Sequence, residues 1–137
     1  MKYIFCHKSS DDGFGDCLRA CVASVLSLES ADVPHFFEDG CDGQTGMDRV
    51  KEFAAGRDLA AAYITFSGQT PFDELMQVWA FNNADVPSIL FGSTRADGNH
   101  SVVVLNGKIE HNPAWVASPI IGPTSDGNWH FLLFVNK

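Results

Sequence analysis

The sequence predicts an α+β fold in which a helix-rich first part packs on a mostly antiparallel sheet from the C-terminal half. Three observations carry that prediction. Apolar residues recur at helical spacing before residue 85, four strand-like runs follow it, three of them rich in Val, Ile, Leu and Phe, and Asn106-Gly107 separates two of the four as a tight hairpin turn. A chain of 137 residues, 45% of them hydrophobic, has the size and composition of one packed domain, 1–137, that folds without metal or disulfide staples. No repeat, low-complexity tract or long linker interrupts it.

The elements follow in order. Asp16 reads as an N-cap, and "CLRACVASVLSL" (17–28) is almost continuously apolar, as befits a central helix buried on most sides. A short helix is expected from Ser30 or Asp32 through "HFF" (35–37), with Pro34 in its first turn. Residues 45–55 place Met47, Val50, Phe53 and Ala54 at helical spacing, with Gly56 as the stop. "LAAAYITF" (59–66) reads as a strand, and a helix opens at Thr70 or Pro71 and runs through "FDELMQVWAFNN" (72–83). Strands are then expected at 86–92, 100–105, 108–112 and 128–135.

Charge and targeting signals narrow the function classes. Nine basic against seventeen acidic residues give a net charge of -8, which repels phosphate backbones and argues against a nucleic-acid partner. The N-terminus "MKYIFCHKSS" is too short in apolar residues for a signal peptide, and no segment approaches the roughly 20 apolar residues of a membrane span, so a cytoplasmic protein is expected, without a membrane partner. In that reducing compartment Cys6, Cys17, Cys21 and Cys41 are expected to remain thiols.

Cys17 opens the central helix, where peptide dipoles concentrate partial positive charge and unpaired N–H groups point outward. A thiolate is favoured there, and the same N–H groups can hold an oxyanion when a carbonyl is attacked. Cys21, one turn on, lacks both advantages. Cysteine is also among the most buried residue types, so core filler is the competing reading of Cys17. A thiol nucleophile needs a base and a group to orient it. His100 opens "HSVVVL" just after a polar loop, and Asn112 ends the partner strand "KIEHN", where its amide oxygen suits the second imidazole N–H. A two-residue turn pairs Leu105 with Lys108 and puts Asn112 on the face away from His100. A three-residue loop with a bulge at Gly107 pairs Val104 with Lys108 and brings the two to one face. The mechanism favours the second register, or a twist beyond the hairpin.

Taken in order, "GDCLRACVASVL", "HSVVVL" and "HNPA" resemble the papain-like cysteine peptidases, in particular the compact bacterial and phage branch similar to the peptidases that process bacteriocin leaders. The resemblance covers most of the chain. It implies a papain-like fold, a Cys17-His100-Asn112 triad without a cofactor, and a peptide, isopeptide or small amide substrate, in the host cytoplasm if the chain is phage-encoded. One position departs from the pattern. The family usually carries a Gln about six residues before the Cys as second oxyanion donor, and here Asp11 stands there, a carboxylate that cannot donate when ionised. The oxyanion region is then Asp11, Asp16 and Cys17, with Lys8, Ser9, Ser10 or Gln44 as other sources of a donor. The alternative function is a binding or inhibitory protein that keeps the fold without turnover.

Other residues carry weaker signals. Cys17 and Cys21 could join Cys6, His7 or Cys41 around zinc, but no C-x-x-C pair is present, and no metal is expected. His7, His35, His111 and His130 read as surface or satisfied core, with His111 facing away from Asn112. Asp97 and Asp126 read as turn residues. Trp79, Trp115 and Trp129 read as core or cleft wall, and Trp115, three residues after Asn112, could also shield the imidazole-amide contact from water.

Overall fold

The computed structural model of the chain describes residues 1–6, 16–95, 98–114 and 119–137. Within them the fold is α+β: helices α1 (Cys17–Leu26), α2 (Gly43–Ala55) and α3 (Phe72–Asn82), and strands β1 (Leu59–Ser67), β2 (Ser88–Thr94), β3 (Gly98–Leu105), β4 (Lys108–His111) and β5 (Asn128–Asn136). The strands form one antiparallel sheet in the order β1-β5-β2-β3-β4. The last strand of the chain thus lies between β1 and β2, so the sheet is complete only when the C-terminus docks. Among the described residues no helix is long and apolar enough to cross a membrane.

Helices cover both faces of the sheet. On one, Leu18, Cys21 and Val22 of α1 and Val50 of α2 pack with Val33 and Phe36 against Ile89, Val103 and Leu132. On the other, Leu75, Met76 and Trp79 of α3 pack against Leu90, Val102, Val104 and Phe131. Successive residues of β2, β3 and β5 serve opposite cores, which explains why these strands read as unbroken apolar runs. Each fully buried Val, Leu or Phe contributes about 1.5–3 kcal/mol, so the three central strands are a stiff platform.

Several boundaries differ from the sequence expectation, each for a local reason. Helix α1 stops at Leu26 because Ser27 adopts a left-handed conformation (φ 56°), and Leu28 N–H turns back to Ala23 O at 2.8 Å. Asp16 precedes the helix but its side chain makes no capping hydrogen bond; it is buried, 2% exposed. Asp42 does cap α2, accepting from Thr45 N–H at 2.8 Å and starting that helix at Gly43. The helix expected through residues 35–37 is absent. A single 3-10 turn, Ser30–Asp32, ends at Val33, which is extended (φ −123°, ψ 128°), as the residue before a proline must be.

The β3–β4 hairpin corrects the favoured register. Asn106 and Gly107 both take positive φ (50° and 81°), forming a two-residue turn, and Leu105 pairs with Lys108. Asn106 is fixed there by Asp85, whose N–H donates to its Oδ1 at 2.7 Å and whose carboxylate accepts from its Nδ2 at 3.0 Å. A bulge follows: Val104 pairs with Ile109, but Val103 pairs with His111, leaving Glu110 as the extra residue. One extra residue reverses the facing of all that follows. Asn112, which an uninterrupted two-residue hairpin would direct away from His100, is thereby brought to its side.

Candidate active site

Cys17 is the first residue of α1, and the first bond along the helix is Ala20 N–H to Asp16 O at 3.0 Å, so the N–H groups of Cys17, Leu18 and Arg19 lie ahead of the intrahelical ladder. The helix axis delivers Cys17 to the start of β3. There His100 is buried, 5% exposed, and its Nε2 stands 2.8 Å from Asn112 Oδ1. An amide oxygen only accepts, so Nε2 carries the proton and a neutral ring has Nδ1 as acceptor for the thiol. Asn112 Oδ1 is itself steadied by Ala114 N–H at 3.2 Å.

The electrostatics separate the four thiols. Burial pushes the Cys17 thiol up, but hydrogen bonding to His100, the charge His100 can carry, and hydrogen bonds from Ser101 outweigh it and hold the thiol below its ordinary value. Cys21 is pushed well above, first by burial and then by the charge of Cys17. Cys6 is pushed up to about 12 by burial, by Cys17, and by the Asp16 carboxylate, to which its thiol hydrogen-bonds. Burial raises Cys41 as well. Only Cys17 is set toward thiolate, and none of the four is joined in a disulfide. Ser101 Oγ is buried between the thiols of Cys17 and Cys21 without a well-formed hydrogen bond of its own.

A cleft of about 790 Å³ opens beside Cys17. Its floor comes from the sheet register. Val103, Ile89, Leu132 and Tyr63 form one cross-strand row, the apolar row beneath α1 and α2. The next row toward the open end is Ser101, Phe91, His130 and Thr65, and there the core gives way to the cleft. One wall is α2 with the segment before it, including Gln44, Met47 and Lys51; the other is the turn 124–126. That turn is clamped beside His100 by Asn99, which donates to Ser125 Oγ at 3.0 Å and accepts from Ser125 N–H at 2.8 Å.

The structure therefore brings Cys17, His100 and Asn112 together and places Asp16 beside Cys6 behind them. Asp11, Trp115, His7 and Asp97, with Lys8, Ser9 and Ser10, lie outside the described residues. Gln44 lines the cleft, with its amide nitrogen donating to Asp48 at 2.9 Å. His111 faces away from the site, 2.6 Å from Ile4 O and edge-on to Tyr3 and Phe5. Trp79 and Trp129 belong to the core beneath α3. His130, read from sequence as surface or core, instead sits in the cleft floor, with Nε2 2.7 Å from Asp126 and Nδ1 3.0 Å from Thr65 Oγ1. Asp126 still acts as a turn residue, accepting from Asn128 N–H at 2.9 Å. Ser101 and Phe91 were not singled out in the sequence; the one signal for Ser101 is a polar residue inside an otherwise apolar run. Comparison of the chain with family models, curated proteins and solved structures finds no match.

Proposed function

We propose that the chain is a cysteine hydrolase of papain-like type that cleaves peptide, isopeptide or small amide bonds through a thioester. The observation that carries this reading is the His100 Nε2 to Asn112 Oδ1 contact of 2.8 Å beside a thiol held below its ordinary value at a helix start. In the proposed cycle His100 Nδ1 takes the Cys17 proton, and the thiolate forms a C–S bond to the carbonyl carbon while the carbonyl π electrons move to oxygen. The N–H groups at the start of α1 face that oxyanion. Collapse breaks the C–N bond, and the His100 imidazolium protonates the departing amine. His100 then deprotonates a water, which attacks the thioester and releases the acid and the thiolate. Asn112 accepts the Nε2 proton's hydrogen bond throughout, fixing ring and tautomer without adding a charge.

The test is p-nitrophenyl acetate with wild type and Cys17→Ala. A burst of one nitrophenolate per chain followed by steady turnover, both lost in the variant, is the expected result. A burst without turnover would favour a binding protein that retains a reactive thiol, and the absence of any Cys17-dependent nitrophenolate release would end the hydrolase reading.

A further inference from the structure

We infer that the cleft selects an acyl group carrying a carboxylate, which Lys51 recognises across the cleft from Cys17; this rests on the hydrolase reading. Cations border the cleft of an otherwise acidic chain: Arg19 on α1 and Lys51 on α2. The two carboxylates that border it are already engaged, Asp16 by the Cys6 thiol and Asp126 by Thr124, Asn128 N–H and His130. Lys51 stands in no ion pair among the described residues; its Nζ lies 5.7 Å from the centre of the Tyr63 ring. Lys2 and Arg49, by contrast, pair with Glu29 and Asp39. The Tyr63 hydroxyl beneath is buried and makes no hydrogen bond, a donor with no acceptor at the same wall. An anion at Lys51 completes the pairing that Lys2 and Arg49 already have.

The register sets the reach. Tyr63 on β1 lies three strands from β3, and strands are about 4.8 Å apart, so the Lys51 end of the cleft is roughly 14 Å from Ser101 and the thiol. At about 3.3 Å per residue an extended chain covers this in about four residues. Phe91 and Met47 line the way with apolar surface. On the acyl side, such a contact persists through both acylation and hydrolysis of the thioester.

The experiment compares two chloromethyl ketones that alkylate Cys17, succinyl-Ala-Ala-Ala and its neutral methyl ester, in wild type, Lys51→Met and Lys51→Glu. Iodoacetamide labelling of wild type at about pH 6 is read first, because it reports the activated thiol alone; its failure at Cys17 defeats the hydrolase reading itself. Given that labelling, the succinyl probe is expected to react about threefold to fivefold faster than its ester, the scale of a partly exposed ion pair. The ratio falls to about one in Lys51→Met, drops below one in Lys51→Glu, and shrinks for wild type in 1 M salt. Equal rates in wild type, or a preference that survives both substitutions, would overturn the inference.

Discussion

Cys17 and Cys21 stand one turn apart on the same helix and touch the same serine, yet their thiols are displaced in opposite directions. Burial raises both. What separates them is reach: Cys17, at the helix end, meets His100, whereas Cys21 is enclosed between α1 and the sheet and, besides the shared serine, meets the charges of Cys17 and Cys6. Reactivity here belongs to the place where a helix N-terminus meets a strand end, not to cysteine as such.

Removing His100 should erase the difference. In His100→Ala the burial of Cys17 is opposed by Ser101 without His100, and labelling of Cys17 by sub-stoichiometric iodoacetamide at pH 6, which follows the thiolate fraction, should slow sharply. Peptide mapping distinguishes this from general unfolding, which would expose Cys21 and Cys6 to the reagent. Undiminished, selective labelling of Cys17 would show that the helix terminus alone activates it.

The same contrast predicts opposite pH dependences of stability. Cys21 has a folded pKa raised above its ordinary value near 9, so its contribution is complete below pH 9 and is lost as pH rises, because the unfolded chain ionises first. Cys17 has a lowered folded pKa, so its contribution is present above the ordinary thiol range and is lost as pH falls through the lowered value. Denaturant melts from pH 7 to 10.5 should show wild type losing stability relative to Cys21→Ala, at up to about 1.4 kcal/mol per pH unit beyond 9, and gaining it relative to Cys17→Ala. Parallel curves for the two variants would contradict the assignment of opposite shifts.

Much of this arrangement is legible in the sequence because it is local. Helix α1 and strands β2, β3 and β5 follow from apolar runs, and the nucleophile's place follows from Cys17 standing at the head of one. What was not legible depends on pairing between distant segments. The row Ser101, Phe91, His130 and Thr65 gathers four strands at one level, and no spacing along the chain announces it. The bulge at Glu110 is the sharpest case. The turn chemistry of Asn106-Gly107 correctly demands a two-residue hairpin, which alone points Asn112 the wrong way, and a single extra residue restores the contact.

Asn112 is therefore the next position to change. Asn112→Ala removes an acceptor for His100 Nε2 while leaving His100 able to meet Cys17, so labelling should slow only about two- to tenfold, the worth of one hydrogen bond. A pH profile displaced along with the rate would mark a positioning role, since simple loss of folded protein lowers the plateau without moving the profile.

Ser101 gives the smallest and most discriminating change. Its hydroxyl lies beside both thiols and favours the thiolate at each, so it cannot create the difference between them. It is also buried without a well-formed hydrogen bond, so Ser101→Ala deletes a polar group that folding has already desolvated, and stability should change by less than about 0.5 kcal/mol. Cys17 labelling at pH 6 should slow by roughly twofold to threefold, for one weak contact of the several that hold the thiol down. Selectivity for Cys17 over Cys21 should survive. If Ser101→Ala abolished that selectivity while His100→Ala spared it, the thiol would owe its state to the serine behind the helix, and His100 would lose its assigned part as base.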